Sequence, residues 1–280
     1  FMLDAPEEEA ELKDLAAIGM SIGKRPLYKH QEEALQNAWN DSGGPKDIIV
    51  ASGTGSGKTE IFYLTILSDI IREALHWEAP TSISKDMGKS HRNNWLHRRR
   101  CEKRKAAIRA IILYPMNALI NDQLRRLRRI LTTDSAIKWQ LSNLNNNFIY
   151  FGRYTSQTML PGTANYKPRQ DRWKNYKNNI QIEWDEINED TRKLGYMPRL
   201  NGPEMLCRWN MQDAPPDILL TNYSMLEYML VRPIEETIFT ATRDWLLQSK
   251  SHILTLVLDE AHTYSGTRGT EVAYLIRRLY

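Results

Sequence analysis

The stretch that most constrains this chain is residues 47–60, DIIVASGTGSGKTE, followed at once by the helical-looking IFYLTILSDIIREAL. A short apolar, β-branched run enters a turn in which Gly53, Gly55 and Gly57 alternate with Thr54 and Ser56 and end in Lys58-Thr59. A backbone that rich in glycine can wind around an anion with its N–H groups turned inward. The helix that starts at the lysine adds the partial positive charge of its N-terminus. Lys58 then reaches the outer phosphates of a nucleotide, and the Thr59 hydroxyl suits Mg²⁺. The strand–loop–helix order therefore predicts a βα unit with a phosphate site at its junction, cradled by Gly53, Thr54, Gly55, Ser56, Gly57, Lys58 and Thr59. The strict spacing G-x-x-x-x-G-K-[ST] would put glycine at position 52, where this chain has serine.

The same alternation continues downstream. DIIVAS (47–52), AIRAIILYP (107–115), NFIYFG (147–152), DILLTN (217–222) and HILTLVLDE (252–260) read as strands, with helical segments between them. Helices are expected from about Lys58 to Leu75 and through ALINDQLRRLRRIL. Near-continuous apolar strands separated by helices predict an α/β fold, a mainly parallel sheet covered on both faces. Upstream, 7–20 reads as an acidic-started helix, and Pro26 opens another that presents Leu35, Ala38 and Trp39 and ends at DSGGP. Two polar stretches, about 76–106 and 161–216, break the rhythm and read as insertions.

A phosphate loop of this kind needs acidic groups at a second strand end. ILTLVLDEAH supplies Asp259 and Glu260. Asp259 would join Thr59 on the metal, and Glu260 would polarise an attacking water. Lys58, Asp259 and Glu260 are thus the candidate catalytic residues, with ATP and Mg²⁺ as the implied ligands.

The formal charge of +4 excludes little, but its distribution is uneven: HRRRCEKRK at 97–105 and RRLRR at 125–129 are basic clusters of the kind that meet polyanions. Cys101 and Cys207 make no disulfide framework or zinc pattern. The first fifteen residues lack a basic n-region and apolar core, and no stretch approaches ~18 uncharged apolar residues. A cytoplasmic setting without a membrane partner is the expectation.

SGTGSGKT, DEAH and LYKHQ together resemble the first RecA-like lobe of a superfamily-two DEAD/DEAH-box helicase, in which the loop usually reads A-x-T-G-x-G-K-T. The resemblance covers nearly the whole chain from about residue 22. It implies that Gln31 reads the adenine as the Q-motif glutamine, with Arg25 beside it, and that His262 links the nucleotide site to the nucleic-acid site. YPMNALINDQ (114–123) is similar to motif Ia, with Asn117 where many relatives have Arg. TNYSMLE (221–227) is similar to motif Ib, and YFGRYTSQT (150–158) occupies the place of the glycine motif. By resemblance, Pro115, Asn117, Gln123, Gly152, Thr221 and Asn222 are the nucleic-acid contacts, with DNA expected ahead of RNA. The strings YPMNAL, TNYSML and DEAHTYSGTRGTEVAYLIRRL look most like the large prokaryotic phage-defence helicases of the Druantia, DISARM and Dpd systems and like MrfA-type DNA-repair helicases.

The resemblance implies a RecA-like P-loop NTPase lobe over 46–280 preceded by a helical segment, 1–45, that carries the Q-motif. A motif III, a second lobe and its arginine finger are not found in these residues. The partner lobe is expected from the same parent chain, with defence-system proteins as further partners. Losing an arginine finger costs ~10³–10⁵ in rate, so the isolated lobe is expected to hydrolyse ATP poorly. A binding scaffold with little ATPase activity is the rival reading, against which the intact Lys58, Thr59, Asp259 and Glu260 argue.

Other features admit two readings each. His262 may be read simply as a polar residue closing a strand. The run 97–105 reads either as a solvated loop or as a basic grip on phosphates. Arg125 and Arg129 share one helix face, for DNA or for acidic neighbours. Trp173, Trp184 and Trp209 either stack on bases or pack in an interior.

Overall fold

The run Ala110-Ile-Ile-Leu-Tyr114 is buried at every position, as a strand with helices on both faces must be. In the structure, a computed structural model, residues 14, 28–39, 47–51, 57–82, 89–91, 94–162, 167–187 and 195–279 are described. Helix α1 (Lys29–Trp39) and helix α2 (Lys58–Ala74) come first. A short antiparallel pair follows, β1 (Lys89–His91) and β2 (Asn94–Leu96). Then come β3 (Ala110–Tyr114), α3 (Asn117–Leu131), α4 (Asp134–Asn143), β4 (Phe151–Tyr154) and α5 (Lys167–Ile187). The remainder is β5 (Glu204–Met205), α6 (Arg208–Asp213), β6 (Ile218–Asn222), α7 (Tyr223–Val231), α8 (Glu236–Leu246), β7 (Thr255–Leu258) and α9 (Thr267–Leu279).

Among the described residues five strands form one sheet in the order β5-β4-β6-β3-β7, and every pairing is parallel. This is the RecA-like α/β architecture. Ala110, Ile112 and Tyr114 face one side, against Leu64, Leu67 and Ile71 of α2 and Ile120, Leu124 and Leu127 of α3. Ile111 and Leu113 face the other, against Met225 and Met229 of α7 and Ile238 of α8. Because side chains alternate with period two, a one-residue slip would exchange these faces, so burial fixes the register. Parallel pairing places the C-terminal ends of β3, β4, β6 and β7 along one edge.

The opposite edge is locked by charge. Asp217, just before β6, is fully buried; it accepts hydrogen bonds from Arg104 (Nη1, 2.7 Å; Nη2, 2.8 Å), Arg109 (Nη1, 2.7 Å) and the Tyr150 N–H (2.8 Å). Burial alone would raise its carboxyl, but Arg104, Arg99 and Arg109 hold it well below the usual range. Arg109 also pairs with Glu73 at the end of α2, and Arg99 with Glu102. The Arg104 guanidinium lies 3.5 Å over the Trp77 ring and that of Arg109 4.8 Å over Trp245. Within 97–105, Arg98, Arg99 and Arg104 are therefore not solvated but tie this loop to the base of the sheet, while Lys103 stays exposed.

The described residues of 161–216 are likewise packed. Trp173 and Ile180 of α5 pack with Leu160, Leu206, Cys207 and Trp209 in a separate cluster, so Trp173 and Trp209 serve packing rather than base stacking. Arg128 of α3 fastens β5 through a bidentate pair to Glu204, at 2.7 and 2.8 Å. Two strand limits also differ from expectation. Phe148-Ile-Tyr150 is buried, but the Ile149 N–H is held by the Gln140 side chain and that of Tyr150 by Asp217, so the ladder starts only at Phe151. Residues 47–51 join no ladder among the described residues, and Ile49 is 94% exposed. Apolar, β-branched chain becomes strand only where a neighbouring edge accepts it. Of the helix expected at 7–20, all but residue 14 lies outside the described residues. No described helix is long and apolar enough to cross a membrane.

Candidate nucleotide and nucleic-acid site

Helix α2 begins at Lys58 and is preceded by Gly57 with φ 81° and ψ 27°, the left-handed conformation that glycine adopts without cost. A side chain at position 57 would also run into Gln31. Gln31, buried on α1, donates from Nε2 to the Gly57 carbonyl (2.9 Å) and accepts the Tyr28 N–H on Oε1 (3.0 Å). Its amide nitrogen thus braces the end of the phosphate loop, and its oxygen the start of α1. Lys58 and Thr59 occupy the first helical turn, half-buried. Arg25, Gly53, Thr54, Gly55 and Ser56, also expected here, lie outside the described residues.

The carboxylates stand at the end of β7. The Asp259 N–H bonds the Leu113 carbonyl (3.1 Å), which sets it beside the end of β3. Glu260 takes a left-handed backbone, φ 51° and ψ 42°, uncommon for a non-glycine residue and most frequent where function demands it. Its N–H returns to Asp259 Oδ1 (2.9 Å), while its carbonyl accepts from the Thr263 N–H and Oγ1 (2.9 and 2.8 Å). Burial raises the Asp259 carboxyl and the Glu260 charge adds to that, while Lys58 and Arg126 oppose them. Lys58 and Asp259 thus share one electrostatic site. A carboxylate and a threonine hydroxyl are hard oxygen donors of the kind that suits Mg²⁺, which usually takes one or two protein oxygens and completes its shell with phosphate and water. His262 is 76% exposed, with Nδ1 3.3 Å from Glu260 Oε2.

The expected nucleic-acid contacts divide into two groups. Asn117, at the start of α3, accepts on Oδ1 from Asn222 Nδ2 at 2.8 Å, and Asn222 Oδ1 caps α7 at the Met225 N–H (2.8 Å). These two residues and Pro115 are half-buried, beside an exposed Met116. Thr221, Gly152 and Gln123 instead face inward. Thr221 donates to the Tyr154 carbonyl (2.7 Å). A Cβ on Gly152 would stand 2.7 Å from Met211 Sδ and 3.1 Å from the Met205 carbonyl, so packing already demands the glycine. Gln123 is 6% exposed and accepts Tyr63 Oη at 3.2 Å, which ties α3 to α2 beneath the nucleotide site. Helical spacing foretold this, because 123 falls on the apolar face of 120, 124 and 127. Arg153, a charged residue inside an otherwise buried strand, carries a signal of its own. Arg125 stacks on Tyr196, with its guanidinium 4.4 Å from the ring centroid.

The fold is a RecA-like lobe with Asp259 and Glu260 at the C-terminal edge of its sheet and Lys58-Thr59 opening α2. Residues 28–151 match the DEAD/DEAH box helicase family. It is similar to the Druantia protein DruE of Escherichia coli, 36% identical over 320 residues that span 99% of this chain and 16% of the relative. It is also similar to an uncharacterized ATP-dependent helicase of Methanocaldococcus jannaschii, 22% identical over 253 residues, 90% of this chain and 23% of that protein. The chain thus spans less than a quarter of the length of these relatives.

Proposed function

We propose that this chain is the ATP-binding lobe of a cytoplasmic, ATP-driven helicase or translocase that moves on nucleic acid, DNA in the first place, and serves defence against phage. The division into a Q-motif segment (1–45) and a first lobe (46–280) belongs to this reading. A second RecA-like lobe from the longer parent chain would close over the nucleotide. One observation supports the proposal: the C-terminal edge of the sheet carries Asp259, hydrogen-bonded to the end of β3, and the Asn117–Asn222 pair beside the ends of β3 and β6. Such a layout lets the state of the nucleotide bear on a bound strand.

In this reading Lys58 neutralises the outer phosphates, and Gln31 holds the loop while meeting the base. Thr59 and Asp259 would hold Mg²⁺, which offsets phosphate charge when bound. Glu260, held in a left-handed backbone after Asp259, orients the attacking water. Asn117 and Asn222 meet the sugar-phosphate backbone, and His262 communicates between the two sites through Glu260.

The test is ATP hydrolysis by the full-length parent, with and without single- and double-stranded DNA, alongside Lys58→Ala and Glu260→Gln. Hydrolysis should rise with DNA and fall on the order of 10²–10⁴-fold in each variant. A parent that binds DNA but hydrolyses no ATP would overturn the motor reading in favour of a binding scaffold.

A further inference from the structure

We propose that Arg153 is a direct ligand of the nucleic-acid backbone, gripping a phosphodiester at the sheet edge where Asn117 and Asn222 meet. The inference rests on the nucleic-acid reading above and deepens it by assigning the cation of that surface.

Position is the first argument. Arg153 sits on β4 opposite Leu220 of β6, and its neighbour Tyr154 is opposite Thr221. The residue is therefore level with the strand ends that carry the half-buried asparagines. Its Nη1 donates to Asn121 Oδ1 and, at 3.3 Å, to Gln157 Oε1. Asn121 lies four residues beyond Asn117 on α3, hence on the same face. Arg153, Asn121, Asn117 and Asn222 form one polar strip running from β4 across α3 to the N-terminus of α7.

Charge is the second. Arg99, Arg104, Arg109 and Arg128 each have a carboxylate partner. Arg153 has none within ion-pair distance among the described residues: its hydrogen bonds end on two neutral amides. Glu204, the acid that acts on it electrostatically, is already held bidentately by Arg128. Burial lowers the Arg153 pKa, and Arg128 adds to that. A partly desolvated guanidinium without a counter-ion is costly until an anion arrives. The amides aim it without neutralising it, and its remaining N–H groups suit the paired oxygens of a phosphate.

The third is the fate of the expected contacts. Gly152, Thr221 and Gln123 turn inward, so polar groups remain at this edge but little positive charge does. A contact of this kind positions the strand and carries no sequence information.

Binding of a labelled oligothymidylate to the full-length parent, measured across a salt series, tests the proposal in Arg153→Gln and Arg153→Lys. Lys105→Gln, on the opposite edge, is the control, and thermal melting monitors folding of each variant. Arg153→Gln should weaken binding about 5–30-fold and flatten the slope of log K against log salt by about 0.7, one phosphate contact on a single strand. Arg153→Lys should keep the slope and lose part of the affinity, since it retains charge but not the fork. Wild-type affinity and slope in Arg153→Gln would overturn this inference alone, leaving Arg153 as a brace for Asn121. If Arg153→Gln does not fold, Arg153→Lys decides: a changed slope overturns the proposal. Failure of the wild-type parent to bind would overturn the nucleic-acid reading and this contact together.

Discussion

Replacing Asp217 with asparagine keeps the shape of the side chain and removes the charge around which the base of the sheet is assembled. The carboxylate accepts four hydrogen bonds of 2.7–2.8 Å, two from Arg104, one from Arg109 and one from the Tyr150 N–H. Asparagine has one acceptor oxygen, so at least one of these donors would face an NH₂ group, and three buried arginines would lose their shared counter-ion. Hydrogen bonds to charged groups are worth about 1.5–3 kcal/mol each, and removing one partner of a buried pair costs about 3–5 kcal/mol. We expect a loss of about 3–5 kcal/mol, or a fall on the order of 10 °C in melting temperature for a domain of this size. Urea denaturation near neutral pH measures it directly. The sign of the pH dependence is a second check. The folded-state pKa is depressed, so the stabilisation is present above the ordinary carboxylate range and is lost as pH falls towards the folded value. The deficit of the variant should therefore shrink in acid. A loss below about 1 kcal/mol at neutral pH would refute the clasp. So would weaker nucleic-acid binding by a variant that remains folded, which would return 97–105 to the role of a phosphate grip.

Asp69 should behave in the opposite sense. Burial raises its carboxyl to about 6 despite Arg72 and the Thr255 hydrogen bond, so ionisation costs the folded state as pH climbs from about 4 through 6. Asp69→Asn should stabilise the chain by up to about 3 kcal/mol above pH 6 and leave it unchanged below about 4, as read from melting curves across pH. Gly152→Ala should cost about 1–3 kcal/mol in equilibrium unfolding, because its Cβ meets Met211 and the Met205 backbone; no cost would mean that the packing there is loose.

The order of the main strands and the start of α2 at Lys58 were legible because each rests on local pattern: apolar runs, glycines, a helix-forming segment. The place of Asp259-Glu260 at the end of β7 was legible for the same reason, since the pair closes an apolar run. What could not be read were partnerships across the chain. Nothing near 97–105 announces that its arginines belong to Asp217, 113 residues beyond Arg104. Likewise, Arg128 gives no local sign of Glu204. Resemblance located the contact motifs but not the face each member takes: Thr221 and Gly152 point into the sheet, while Arg153 between buried neighbours reaches out to Asn121. The run 47–51 shows the converse limit, a strand-like sequence without a ladder among the described residues.

The clasp at the base of the sheet also sets an order of assembly. Its members come from α2, the 99–109 segment, Tyr150 and Asp217, so the acid that neutralises the arginines is the last to be synthesised. At roughly 5–20 residues per second, some 5–20 s separate Arg104 from Asp217 on the ribosome. Through that interval β3 has its arginines but neither of its sheet neighbours, since β6 and β7 both lie further along the chain. The counter-ion and the central ladder partner of β3 then arrive together with β6, and β7 closes the edge after them.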